Sequence, residues 1–296
     1  MRAYAVVLVA VVLALGAVAG WGYPSLNGAS GLVSLPTAET TPAGMVDLAV
    51  DYQKVGDTRI WPMRATLGVG ENAEVWFGYT RISANEEAAG EEVEGFGISP
   101  MMRTGGIVII GGGDSGGTGI DRAWNVGGKY LLPSKSESGV KLAVGGSTGK
   151  LENGEDLELS TAFFVASQKI SLKPGRLPLE TKAHLGLLWA KVGSPIDNTT
   201  LEPFAGLEFI EKKGASLGLE YRLKDNDLDE KAPFSAVVRY PLGGVERPVM
   251  LEVGFTNAAV AGLGGADSRV FVGLGYRLGT MKGTGEPGTR TRPWGY

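Results

Sequence analysis

The stretch that decides the fold is residues 215–223, which read ASLGLEYRL. Its odd-numbered positions are apolar, and the positions between them are small or charged. The same alternation returns at 46–52, 249–255 and 270–278. Because strand side chains point alternately to opposite faces, each segment predicts a strand with one apolar and one polar face. A chain built almost wholly of such segments favours one closed antiparallel sheet, with lipid as the candidate partner of its apolar face.

The whole chain predicts an all-β fold, a single antiparallel transmembrane β-barrel of about 14 strands, with about 12 as the next choice. Their lengths suit the ~9 to 11 residues that a tilted strand needs to cross a bilayer. A soluble barrel would have the inverse geometry, with its apolar face inward. The predicted strands lie near 45–53, 60–69, 73–82, 93–103, 105–111, 122–132, 139–149, 156–169, 180–192, 201–210, 214–224, 233–241, 248–256 and 268–279.

Connection lengths and aromatic positions agree with a membrane barrel. Short connections, such as 70–72 and 211–213, follow even-numbered predicted strands. Long connections, such as the acidic stretches 85–94 and 224–231, follow odd-numbered ones. Outer-membrane barrels have short periplasmic turns and longer outside loops, so both termini are expected on the periplasmic side. Four tyrosines on the apolar face lie near strand ends, where an interfacial aromatic girdle is expected: Tyr52, Tyr79, Tyr221 and Tyr276.

The N-terminus predicts export. Arg2 supplies a positive charge, residues 6–15 form a short apolar core, and Ala17 and Ala19 give the small-x-small pattern of a signal peptidase site. A membrane helix is the alternative reading of this run. We therefore divide the chain into a signal peptide (1–19), an N-terminal extension leading into the barrel (20–44), the β-barrel (45–279) and a disordered C-terminal tail (280–296). The expected location is the bacterial outer membrane.

Composition limits the chemistry that the chain can carry. Its 296 residues are 20% charged with a formal net charge of -4, which gives no basic footprint for nucleic acid. The chain has no cysteine, which excludes disulfides and thiolate metal sites. We expect no cofactor and no metal. The expected partners are outer-membrane lipid and the barrel assembly machinery during biogenesis, and a monomer is the expected state.

The polar face predicts the lining of the lumen. It is mainly small residues with isolated charges, which is compatible with a lumen packed by ion pairs and with a wet channel. A passive porin-like channel for small solutes is therefore one candidate function, and its lining charges would set its selectivity. The candidate lumen-lining charges are Glu158, Glu208, Glu220, Arg222, Arg239, Glu252 and Arg277.

Catalytic motifs are weak in this chain. Residues 113–117 read GDSGG, like the nucleophile loop of a serine protease, but that chemistry needs a histidine base, and His184 follows this serine instead of preceding it. A hydrolase embedded in the barrel could use a serine and a histidine on its outer wall if the two lay within hydrogen-bond reach. The alternation instead places His184 on the small-residue, lumen face. We assign no catalytic residues and expect a protein that is not an enzyme.

A family resemblance rests on the residues that follow the signal peptide. Residues 27–38 read NGASGLVSLPTA and lead through Gly44 into the first strand. This opening, together with 203–209, 219–221 and 238–241, resembles the YjbH-like outer-membrane proteins. The resemblance implies a non-enzymatic barrel associated with exopolysaccharide production or export, with polysaccharide or its export apparatus as a partner.

Overall fold

A computed structural model describes the fold of twelve stretches of the chain. These are residues 23–26, 28–55, 58–83, 122–133, 139–152, 157–170, 179–193, 198–211, 214–223, 232–242, 249–257 and 269–279. The predicted signal peptide and C-terminal tail lie outside the described residues. Among the described residues, no helix is long and apolar enough to cross a membrane.

The described chain is all-β. Two short strands, β1 (Tyr23–Pro24) and β2 (Ser30–Gly31), pair with each other. The remaining strands are β3 (Val46–Val55), β4 (Thr58–Val69), β5 (Ala73–Ser83), β6 (Arg122–Leu132), β7 (Val140–Glu152), β8 (Leu157–Ile170), β9 (Leu179–Val192), β10 (Asn198–Glu211), β11 (Ser216–Arg222), β12 (Phe234–Leu242), β13 (Val249–Thr256) and β14 (Arg269–Leu278).

Strands β3 to β14 form one closed barrel. Each pairs antiparallel with its sequence neighbours, and β14 pairs back to β3 with Val272 opposite Tyr52. The predicted transmembrane β-barrel is therefore confirmed, with twelve strands. The count of fourteen was too high because β5 pairs directly with β6, Tyr79 opposite Trp124, which leaves no place for two strands between them. The segments near 93–103 and 105–111 lie outside the described residues.

The outer wall of the barrel is apolar. Each of its twelve strands carries at least one exposed large hydrophobic side chain. Leu185 and Val270, both 63% exposed, are examples. A soluble monomer seldom exposes a contiguous apolar patch larger than a few hundred Å². A closed apolar wall around a polar interior is instead the geometry of a barrel in lipid. The inverse, soluble arrangement is excluded, and the chain is a bacterial outer-membrane barrel.

The two ends of the barrel differ in their connections. Residues 70–72, 133–139, 171–178, 212–215 and 243–248 connect strands at the end where β3 begins and β14 ends, which we call the turn end. The opposite end, which we call the loop end, includes the long connections 84–121, 223–233 and 257–268. Longer loops face the outside in barrels of this type, so the loop end is the extracellular end.

Candidate functional site in the barrel lumen

The lumen of the barrel contains the chain's own N-terminal part. We call residues 23–26 and 28–45 the lumen segment. The described residues from Tyr23 to Ala38 are all buried. The segment contacts inward-facing residues from strands around the whole circumference, and only an element inside a closed barrel can do so. The barrel residues that bind or pack against it are Thr66, Glu74, Lys129, Ser167, Lys182, Gly206, Glu220, Arg239 and Gly275.

Glu220 on β11 holds the middle of the lumen segment. Its carboxylate accepts hydrogen bonds from the backbone N–H groups of Val33, Ser34 and Leu35 at 3.0 to 3.1 Å. The Ser34 hydroxyl donates a further bond at 2.5 Å. A run of consecutive N–H groups converging on one oxyanion is a backbone nest, which stabilises a buried negative charge. The segment therefore satisfies a carboxylate that would otherwise be buried without partners.

A second anchor is the ion pair of Glu74 on β5 with Lys129 on β6, whose charged atoms are 3.1 Å apart. Glu74 accepts bonds from the N–H groups of Ser30 and Thr41, both at 2.8 Å. Lys129 Nζ donates to the carbonyl oxygens of Ser30 at 2.9 Å and Thr37 at 3.0 Å. The pair thus matches backbone donors and acceptors at three residues of the segment, Ser30, Thr37 and Thr41, which fixes its path across the lumen.

A network of four ionisable side chains joins the segment to β12, β13, β4 and β3. Arg239 on β12 donates to the carbonyl oxygen of Leu32, and its guanidinium lies 4.8 Å from the ring centroid of Tyr23. Arg239 Nε also lies 3.2 Å from Glu252 on β13, which pairs with Arg64 on β4 at 3.3 Å. Arg64 in turn pairs with Asp51 on β3. Two arginines and two carboxyl groups therefore form one continuous network inside the lumen.

A third contact region lies on β8 and β9. Ser167 Oγ accepts the N–H of Ala38 at 2.8 Å and lies 2.7 Å from His184 Nδ1. Lys182 Nζ pairs with Glu39 at 2.6 Å, and Lys141 lies 3.9 Å from the same carboxylate. Burial alone would raise the pKa of the Glu39 carboxyl, but the two lysines outweigh it and hold that pKa below its ordinary value. The C-terminal half of the segment is thus held by a charged contact.

Apolar packing adds to these polar anchors. Leu35 and Ala38 of the segment belong to a buried cluster with Trp76, Phe163 and Phe204. The rings of Trp76 and Phe163 are stacked with their centroids 6.4 Å apart. Burying a leucine side chain contributes about 1.5–3 kcal/mol. The segment is therefore packed on its apolar side as well as bonded through its backbone.

Two barrel glycines make room for the segment. A Cβ on Gly206 would overlap Leu32 Cδ1, and a Cβ on Gly275 would overlap the ring of Tyr23. Glycine inside a strand often marks a position that another group approaches closely, and that is the role of these two residues. Part of the unusual glycine content, 47 residues, thus follows from a filled lumen.

Six of the seven charges that the sequence singled out are buried on the inward faces of their strands. Glu208, Glu220, Arg239 and Glu252 lie near the lumen segment or in its charge network. Arg222 pairs with Glu202 at 2.7 Å, and Arg277 with Asp47 at 2.6 Å. The seventh residue, Glu158, was wrongly placed in the lumen: it is exposed and lies on the outward face of β8 with Phe164.

Several charges of the lumen were not among the candidates predicted from the sequence. They are Asp51, Arg64, Glu74, Lys129 and Lys182, and all but Lys182 are buried. The sequence does contain a pattern that predicts the direction of Glu74. Glu74 lies at an even-numbered position of β5, like the buried Trp76 and Thr80. The odd-numbered Val75 and Phe77 are exposed. Period-2 alternation along β5 would have placed its carboxylate inward.

The structure also places the residues considered for catalysis. His184 is buried on the lumen face, as the alternation predicted, and its serine partner Ser167 lies in the lumen instead of on the outer wall. The GDSGG stretch, 113–117, lies outside the described residues. Within the described part of the chain, no group of three or more His, Cys, Asp or Glu side chains is placed to hold a metal ion.

No protein-family model matches the chain, and no curated protein matches it. Among solved structures, it is similar to the KdgM porin, with 9% identity, a TM-score of 0.44, and coverage of 78% of this chain and 98% of that one. It is also similar to the Acinetobacter baumannii outer membrane protein Omp33, with 8% identity, a TM-score of 0.44, and coverage of 79% and 98%.

Proposed function

We propose that the protein is a non-enzymatic outer-membrane component of the YjbH-like type, whose barrel is kept closed by its own lumen segment. The observation that carries this proposal is the set of bonds from residues 30–41 to Glu74, Lys129, Glu220 and Arg239. These four residues lie on β5, β6, β11 and β12, so the segment is tied to well-separated parts of the wall. A passive porin needs a continuous water-filled channel through its lumen.

The role in surface or secreted polysaccharide comes from the resemblance. Part of the resemblance lies in 27–38, and residues 28–38 of that stretch are the central part of the lumen segment. The proposed closure and the family likeness therefore share these residues. In this proposal the segment is released when the barrel takes part in polysaccharide production or export, and it closes the barrel at other times.

Planar-bilayer recording tests the closure. The wild-type protein should give no steady current, whereas the double variant Glu74→Ala, Glu220→Ala should give step-like openings because two anchors of the segment are lost. Glu158→Ala is the matched control, since it removes a carboxylate from the outer wall and should stay silent. A steady ohmic current through the wild type would contradict the proposal and favour the porin-like alternative.

The polysaccharide role needs a separate test in cells. The secreted polysaccharide of a strain that lacks the chain should fall and should return on complementation with the wild type. The Glu74→Ala, Glu220→Ala variant should change the amount or the regulation of release, provided that it reaches the outer membrane at the normal level. An unchanged polysaccharide yield without the chain would contradict this part of the proposal and leave closure intact.

A further inference from the structure

The outward-facing basic side chains of the barrel are gathered at one end. Along the described strands, every lysine and arginine that shares its face with the exposed apolar residues lies near the loop end. No such residue lies near the turn end, where the described basic side chains face inward. The six outward residues are Lys54, Arg59, Arg81, Arg122, Lys150 and Lys191.

Four of them form a continuous group, which we call the basic patch: Lys54, Arg59, Arg81 and Arg122. Lys54 lies directly opposite Arg59 across β3 and β4, and Arg81 lies directly opposite Arg122 across β5 and β6. Directly opposed residues on one face have Cβ atoms only ~4.5–5.5 Å apart, and like charges at such positions are destabilising. Two such pairs on adjoining strands call for an anionic counter-group.

The described chain supplies little of that counter-charge. Arg122 pairs with Glu152 at 2.5 Å, and both side chains are substantially exposed. Within the described residues, Lys54, Arg59 and Arg81 take part in no ion pair. All three are exposed on the outer wall. The excess positive charge therefore faces the surroundings of the barrel.

Aromatic residues fix the depth of the basic patch in the membrane. Tyr52, Trp61, Tyr79 and Trp124 each lie two residues from a member of the patch, on the same face and towards the bilayer centre. The rings of Tyr52 and Trp61 are 4.7 Å apart at their centroids. Tyrosine and tryptophan are enriched at the level of the lipid headgroups. The patch thus lies at or just beyond the headgroups of the outer leaflet.

The patch is confined to one side of the barrel. On β10 to β14, the outward positions near the loop end include exposed apolar side chains: Leu201, Leu223, Phe234, Phe255 and Val270. Charges that only solvate the rim of the barrel would be spread around its whole circumference, whereas the basic patch is limited to β3–β6. Its position and charge indicate a local anionic ligand at headgroup depth.

We propose that the basic patch binds the phosphate groups of a phosphorylated lipid in the outer leaflet. Arginine presents a planar fork of donors that matches phosphate oxygens and remains charged at any physiological pH. The aromatic residues below the patch would contact the upper acyl chains of the same lipid. This site lies on the outer wall and is independent of closure by the lumen segment.

Native mass spectrometry of the full-length protein in detergent tests this site. The probes are bisphosphorylated lipid A and the same lipid after removal of its phosphates. The wild type should bind the phosphorylated form about tenfold more tightly, and Arg81→Gln should lose that difference. Lys169→Gln, which removes an exposed positive charge at the turn end, should keep it. A heat-dependent gel shift shows that each variant is folded, and Arg59→Gln replaces Arg81→Gln if the latter does not fold.

Two results would overturn the proposal. One is equal affinity of the wild type for the two lipids, which would show that the patch is neutralised within the chain, for example by the glutamates of 84–121, or only by solvent ions. The other is an equal loss of affinity in Arg81→Gln and Lys169→Gln, which would show a general effect of net charge.

Discussion

The carboxylate of Glu220 binds Ser34 twice, through its backbone N–H and through its hydroxyl, across 186 positions of the sequence. The N–H groups of Val33 and Leu35 complete the set. Neither partner is satisfied alone, because the carboxylate and the N–H groups are all buried in the lumen. The barrel wall and the lumen segment therefore stabilise each other in the folded state.

Glu220→Ala should destabilise the folded barrel. The substitution leaves several buried donors without an acceptor, and we expect it to cost about 3 kcal/mol. Urea unfolding of the protein in lipid vesicles measures the free energy of unfolding. Glu158→Ala, on the exposed outer face of β8, should change that free energy little. Equal effects of the two substitutions would contradict the role assigned to Glu220.

Gly206→Ala should also destabilise the barrel, because its new methyl group meets Leu32. Overpacking of this kind costs about 1–3 kcal/mol. The cost should be smaller in a Leu32→Ala background, where space is available. Gly128→Ala is the control, since its Cβ would lie 3.6 Å from the nearest atom. A cost at Gly206 that is independent of residue 32 would argue against this packing.

The sequence predicts the barrel wall better than its contents, for a physical reason. Side chains alternate with period two along a strand, so residues such as Glu220 and Arg239 reveal their face through their neighbours. The contents of the lumen depend on contacts between residues far apart in the chain, which alternation does not encode. This is why the prediction for Glu158 was wrong. The inward face of β8 carries the apolar Phe163 and Val165, which pack against the lumen segment, so the polar face of this strand, with Glu158, points outward.

The ion pair of Glu74 and Lys129 should behave as a buried pair. Lys129→Met leaves a buried carboxylate and two carbonyl groups without their cation, and we expect it to cost about 3–5 kcal/mol. The double variant Glu74→Gln, Lys129→Met should cost less than the sum of the single variants. Unfolding free energies of the three variants give the coupling between the residues. Strict additivity would contradict a direct interaction.

Contact of the outer wall with lipid predicts a dependence on depth. Leu185 is exposed near the middle of β9, so Leu185→Arg should cost about 2–4 kcal/mol in vesicles. Leu201 has a similar exposure near the loop end of β10, and Leu201→Arg should cost about 1 kcal/mol or less. The difference between the two unfolding free energies measures depth. Equal costs would argue against the assigned position of the bilayer.

The most direct test of the central claim is cross-linking inside the lumen. The chain has no cysteine, so the pair Ala38→Cys, Ser167→Cys can be joined by a short thiol-specific reagent without competition. The backbone N of Ala38 lies 2.8 Å from Ser167 Oγ, so we expect rapid and nearly complete cross-linking of the folded barrel in vesicles. The pair Ala38→Cys, Ser235→Cys places the second thiol near the loop end of β12 and should not cross-link. Failure of the first pair, or equal reaction of both pairs, would contradict a lumen occupied by the lumen segment.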